Sequence, residues 1–242
     1  TQYMAEKYGS HGFDPNLFDG YDNYPLNKLP KQSELFSDQW SAIKFQTSGY
    51  DENISNSSHL FSSTRSYSQN AYNKPSLMLH ELKYILEDSL FNEVIRQYYR
   101  KWKFKHTNED RFIALVEDVV NDDMGWFFEP WLNTTRKLDY GIKSYEKILQ
   151  KDKSWKVNLD IINKGSRFLP IKIQTIMEDG SKNERWWINH AWRYQDTLSF
   201  LLPKKPLKVV LDPDVQTLDL DYRNNTTKME NSFLFNWPNF YY

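Results

Sequence analysis

The apolar residues of this chain change their spacing partway along, and no other feature limits its fold more. Between Ser76 and Leu132 they recur at helical intervals, whereas from about residue 153 to 222 they alternate with polar residues. In the first region Met78, Leu79, Leu82, Ile85 and Leu86 share one face of a predicted helix, with His80 and Tyr84 on the opposite face. Leu90, Phe91, Val94, Ile95, Tyr98, Tyr99 and Trp102 form the stripe of the next, so the two predict a helical hairpin with a shared core. Thr107 and Asp110 read as the capping pattern of a third helix, backed by Phe112, Leu115, Val116, Val119 and Val120. Asp122 or Asp123 then opens a short aromatic helix, "DMGWFFEPWL". Upstream, residues 10 to 75 are rich in turn-forming Asn, Ser, Asp and Gly, with a short helix predicted only near "SELFSDQWSAIKF".

In the alternating region Val157, Leu159 and Ile161 predict one strand and Leu169, Ile171 and Ile173 another. "EDGS" is a hairpin turn between "IKIQTIM" and "RWWIN", and further strands are predicted at "TLSFLL", "LKVVL" and "TLDLDY". Short antiparallel strands at this density imply a β-sandwich. The fold class expected is therefore α+β multidomain. At 242 residues the chain is long enough for two domains, each with its own core. The expected division is a helical domain over 1–138, a β-sandwich over 139–224 and an aromatic tail over 225–242, which should dock on a protein partner.

The net charge of −1, with acids and bases interspersed, leaves no electrostatic footprint for nucleic acid. No apolar run is long enough to span a bilayer, and no basic-then-apolar secretion signal opens the chain. The start at "TQYMAEKYG", without an initiating Met, reads as the interior of a longer polypeptide or a processed product. With no cysteine, disulfides, thiolate metal sites and thiol nucleophiles are excluded, so any catalysis uses oxygen or nitrogen groups.

His80 and Glu81 on the first strong helix invite comparison with the HExxH zinc motif, which sets two histidines one turn apart around a glutamate. Leu82, Lys83 and Tyr84 follow instead, so the second histidine is missing and the stretch is not a zinc site. His11, His59, His106 and His190 have no partner at ligand spacing, and His80 reads as a solvated polar-face residue.

Four segments, in order, carry a family resemblance: "YNK" at Tyr72 to Lys74, "LFNEVIRQYYRKWKFKHTNEDRF", "WFFEPWL" at Trp126 to Leu132 and "LDY" at Leu138 to Tyr140. Together they resemble the C-terminal part of the catalytic domain in the alanyl-aminopeptidase family of gluzincin zinc metallopeptidases. "FLPIKIQTIMEDGS" and "VVLDPDVQTLDLDYRNN" extend the likeness to bacterial members. The resemblance implies the helical half of a thermolysin-like catalytic domain followed by an antiparallel β-sandwich. It implies a C-terminal portion of an enzyme that removes N-terminal residues from peptide substrates, and a periplasmic or extracellular location.

In such enzymes a tyrosine in a Y-x-K-G pattern donates to the oxyanion formed when water attacks the scissile carbonyl, and Tyr72 matches that place. Tyr67, five residues earlier, matches a second tyrosine position and is expected to line the substrate pocket. The sequence departs from the family at Pro75, where the pattern has glycine; a proline there is expected to hold Lys74 in extended geometry while remaining acceptable at a helix start. "TQY" at Thr1 to Tyr3 looks like the end of the family's metal-binding helix. The resemblance thus implies zinc in the complete enzyme, held by residues upstream of this chain, with no zinc bound by the chain alone. The segment by itself is expected to be inactive and to rely on the upstream catalytic region of the same polypeptide or of another chain.

Two other readings stand beside this one. The same scaffold serves as a non-catalytic interaction subunit in some relatives, and the aromatic tail suits that role. Carbohydrate binding through Trp186, Trp187 and Trp192 rests on exposed aromatics alone, and strand alternation would bury one of the adjacent pair.

Overall fold

The computed structural model describes residues 36–189 and 193–227, and their contacts divide them into two units. The first contains residues 36–138 together with Asp214–Leu220; the second contains Asp139–Pro213 together with residues 221–227. The architecture is α+β, a helical part followed by antiparallel sheets.

Among the described residues of the helical unit α1 comes first, Phe36–Thr47, and buries Ala42, Ile43 and Phe45. After a loop, Ser63 caps α2, Thr64–Ser68, by accepting from the Ser66 N–H. A π-helical turn, Gln69–Asn73, follows directly, and α3 runs on over Lys74–Trp102. The wider turn has a reason in Pro75, which sits in the first turn of α3 and supplies no N–H. In a regular helix its ring would press on the carbonyl four residues back, and an inserted residue relieves that conflict. Lys74 therefore takes helical angles, φ −60° and ψ −43°, instead of the extended geometry expected before proline.

In α3 Met78, Leu82 and Leu86 are buried as the helical spacing predicts, Leu79 and Ile85 of the same stripe are only half-buried, and Leu77, outside it, is buried too. Tyr84 is buried as well, at 9 % exposure, contrary to its expected place on the polar face. The run is broken at Glu87, whose backbone is at φ 58° and ψ 169°, and the second segment buries Phe91 and Val94. Tyr99, expected in the same stripe, is exposed. The next helix, α4, Glu109–Val120, is capped by Asn108 accepting from the Arg111 N–H, one residue beyond the Thr107 cap that the sequence predicts. The Thr107 hydroxyl accepts from the Tyr98 phenol instead, at 3.1 Å. α5, Gly125–Leu132, follows Asp123, whose carboxylate accepts from the Gly125 N–H at 2.7 Å. It places Phe127, Phe128 and Trp131 in the core, with Phe112 edge-on to Phe128. Aromatic side chains of this size account for much of the unit's burial.

"TLDLDY" is not a strand. Thr217 to Leu220 lie in the returning segment of the helical unit, with one parallel bridge between Leu138 and Asp219, while Asp221 and Tyr222 belong to the second unit, where a 3-10 turn covers Tyr222–Asn224. The helical side supplies its polar partners: Gln39 donates to the Val215 and Thr217 carbonyls, and the Glu81 carboxylate accepts from the Leu218 N–H. Backbone groups satisfied in this way leave no free edge for a ladder.

The second unit holds two three-stranded antiparallel sheets. One is ordered β1-β2-β5, with β1 Tyr140–Leu149, β2 Trp155–Asn163 and β5 Gln195–Leu202; the other is β4-β3-β6, with β3 Ile171–Met177, β4 Lys182–Trp187 and β6 Pro206–Leu211. Strand β1 is additional to the sequence reading, because only its first two residues are buried and no alternation betrays it. In β2 and β3 the predicted inward residues Val157, Leu159, Ile161, Ile171 and Ile173 are all buried. The "EDGS" turn joins β3 to β4 with Gly180 at φ 80°, a conformation that favours glycine. Contacts run from sheet to sheet: the Tyr140 ring lies 5.2 Å from Trp187, and the Arg185 guanidinium stacks 3.7 Å over Phe200. The Tyr140 hydroxyl also donates to the Leu169 carbonyl and accepts from its N–H. Trp187 is buried and its neighbour Trp186 is not, as alternation requires; Trp192 lies outside the described residues, as does the aromatic tail beyond residue 227. Among the described residues no helix is long and apolar enough to cross a membrane.

Candidate functional site

Tyr72 sits in the π turn, and the residues on either side of it are fastened inward. Asn70 and Asn73 are buried. The Asn73 amide donates to the Asp38 carbonyl of α1 and to Gln69 Oε1, while the Gln69 amide donates to Ser41 Oγ at 3.0 Å. The Asn70 amide donates back to the Ser66 carbonyl and hydroxyl. With the polar face of the turn committed to α1 and α2, Tyr72 points outward and is 56 % exposed.

Tyr67, on α2, stands beside it. Their hydroxyl oxygens are 3.4 Å apart and their rings are nearly perpendicular, with centroids 5.6 Å apart. Phe61 closes the row, edge-on to Tyr67 at 5.7 Å. The hydrogen bond to Tyr72 raises the Tyr67 phenol above its ordinary value, with the charge of Tyr72 and partial burial acting in the same direction. A raised phenol stays protonated and remains a donor. If Tyr67 donates to the Tyr72 oxygen, the Tyr72 proton is left for a third group. The π turn thus brings together the two tyrosines that the sequence singles out and leaves both reachable from outside.

A second set of polar groups lies behind the pair and was not legible in the sequence. Lys74 is 2 % exposed, and its ammonium donates to Asp51 Oδ1 at 2.8 Å and to the Glu52 carbonyl at 3.0 Å. The Glu52 carboxylate accepts from the Ser62 N–H and from the Ser66 hydroxyl. Asp51 and Glu52 lie in a loop whose composition reads only as turn, and no spacing rule links them to a lysine more than twenty residues away.

The described histidines, His59, His80 and His106, form no metal-binding group. His11 and His190 lie outside the described residues, and among the described residues no group of three or more His, Asp or Glu side chains is placed to hold a metal ion. The described side chains therefore do not fit a zinc centre. What they offer is two adjacent phenols, one on α2 and one on the π turn, able to donate to negative charge that develops on an oxygen.

Comparison with known proteins bears on the fold and on the first half of the chain. The model of the peptidase family M1 domain matches residues 19–131, which include Tyr67, Tyr72 and Lys74. The fold is similar to a crystal structure of Legionella pneumophila aminopeptidase A in complex with aspartic acid, at a TM-score of 0.50 and 11 % identity over 76 % of this chain. The chain spans 21 % of the length of that protein. No curated protein matches the sequence. Residues 19–131, just under half of the chain, are thus similar to the M1 peptidase domain.

Proposed function

We propose that this chain is a C-terminal portion of a zinc-dependent aminopeptidase and that Tyr72 is its oxyanion donor. The observation that carries the reading is the Tyr67–Tyr72 pair, two phenols 3.4 Å apart with Tyr72 exposed on a turn whose other face is bound down. In the proposed reaction, water attacks the carbonyl of an N-terminal peptide bond and the carbonyl oxygen gains charge. The Tyr72 O–H donates to that oxygen most strongly once it is anionic, and this is where a fixed, neutral donor lowers the barrier. Tyr67 lines the pocket and, by donating to the Tyr72 oxygen, directs the remaining proton toward substrate. Zinc would be held in the complete enzyme by residues upstream of this chain, as the family resemblance implies. The partners are accordingly peptide substrates and the remainder of the catalytic domain. The strands would form the β-sandwich that follows the catalytic domain, consistent with the sheet-to-sheet contacts of Tyr140 and Arg185.

Steady-state kinetics of the full-length protein on aminoacyl anilides tests the reading. Tyr72→Phe keeps the ring and is expected to lower kcat about 100- to 1000-fold, roughly 3 to 4 kcal/mol, with little change in KM. Tyr67→Phe is expected to do less. A Tyr72→Phe enzyme with parental turnover would remove the role.

A further inference from the structure

The geometry points to Asp51 and Lys74 as positioning residues that set the aim of the Tyr72 hydroxyl, an inference resting on the oxyanion role just proposed. Tyr72 is more than half exposed and its ring rests edge-on against Tyr67, so the aim of its hydroxyl depends on the backbone that sets both tyrosines. That backbone is a π turn ending at Lys74, whose ammonium is tied inward to Asp51 and to the Glu52 carbonyl. On the other side of the two tyrosines, Glu52 holds Ser66, the residue before Tyr67. A single loop, residues 51 and 52, thus grips the helix just before Tyr67 and just after Tyr72. Side chains of Asp51 and Lys74 are 5 % and 2 % exposed, and the second carboxylate oxygen of Asp51 is buried with no hydrogen-bond partner among the described residues. An ion pair so deeply buried and incompletely satisfied is a poor source of stability, because desolvation offsets its attraction. Its value lies in fixing one geometry, and misplacement of a catalytic group by about 1 Å is enough to lower a rate roughly 100-fold.

The test removes both charges together, so that neither is stranded. In the full-length enzyme, Asp51→Asn with Lys74→Met is expected to lower kcat about 10- to 100-fold while KM stays within about 3-fold. Combined with Tyr72→Phe, the same double change should cause no further fall in kcat, because it acts only through the lost hydroxyl. A crystal structure of the double variant should show the Tyr67–Tyr72 hydroxyl separation altered from 3.4 Å. Parental kcat, an equal further loss in the Tyr72→Phe background, or an unchanged hydroxyl separation each overturns the inference. If the double variant does not fold, Lys74→Arg takes its place under the same readouts; failure of both to fold assigns the pair to stability and also overturns it. If Tyr72→Phe lowers kcat while the double variant does not, only the positioning role is lost. If Tyr72→Phe itself has no effect, the oxyanion role falls and this inference with it.

Discussion

Glu81 offers the sharpest test of how the helical unit is held. Its side chain is 1 % exposed, and its two carboxylate oxygens accept from the Trp131 indole N–H at 3.0 Å and from the Leu218 backbone N–H at 2.6 Å. One carboxylate therefore ties α3 to α5 and to the returning segment. Glu81→Leu preserves the approximate volume and removes both acceptors, leaving two buried donors with neither water nor protein to receive them. Each stranded donor costs about 1 to 3 kcal/mol, so the loss should be about 2 to 6 kcal/mol. Glu81→Gln keeps one acceptor oxygen but turns an N–H toward one of the two donors, and should fall near the middle of that range. For a unit of about this size each kcal/mol corresponds to roughly 4 °C in Tm, so Glu81→Leu should lower the melting of the helical unit by about 8 °C or more. Differential scanning calorimetry on the intact chain measures it, with the exposed Asp118→Asn on α4 as a control for loss of a helix carboxylate. A Glu81→Leu transition within about 2 °C of the parent would show that the two donors find other acceptors, and the argument from stranded hydrogen bonds would fail.

Two further outcomes are expected. A Cβ placed on Gly141 would lie 2.8 Å from Asn224 Cγ, so Gly141→Ala should destabilise the second unit by about 1 to 3 kcal/mol, and Asn224→Ala should restore most of the loss in a urea melt. The Tyr67 phenol, raised by its hydrogen bond to Tyr72, should titrate closer to its ordinary value in Tyr72→Phe, as read by NMR of labelled tyrosine. Because the folded state holds that proton more tightly than the unfolded state, its contribution to stability is complete below the ordinary phenol range. It fades as pH rises through the folded value, and Tyr72→Phe should flatten this alkaline loss.

Periodicity was a sufficient guide wherever a face is buried along its whole length. Val157, Leu159 and Ile161 announce β2, and Leu82, Leu86, Phe91 and Val94 announce the two segments of α3. It fails where burial is partial or polar. β1 is exposed along most of its length, so nothing in its spacing separates it from a loop. The "TLDLDY" stretch alternates like a strand, yet its backbone is claimed by side chains of the helical unit, which a one-dimensional pattern does not register. Pro75 marks a helix start correctly, but nothing in the sequence shows that Lys74 beside it is drawn inward to Asp51, in a loop distant in sequence. The tyrosine pair was visible only through its match to a family pattern. The carboxylates of Asp51 and Glu52 behind it lie in an Asn- and Ser-rich loop, where composition indicates turns and says nothing of burial.

The return of Asp214–Leu220 to the helical unit bears on how the polypeptide emerges from the ribosome. A chain synthesised only as far as residue 138 has its helices but not the N–H of Leu218 that Glu81 receives, nor the carbonyls of Val215 and Thr217 to which Gln39 donates. At about 5 to 20 residues per second, the roughly 80 residues that must still be made take about 4 to 16 s. The second unit is complete in sequence almost as soon as the first, so the two finish folding nearly together instead of one after the other. A nascent chain stalled between residues 140 and 210 would present an unfinished helical unit to proteases and chaperones. A gene fragment cut at residue 138 would carry that vulnerability permanently, and adding the next eighty residues would cure it.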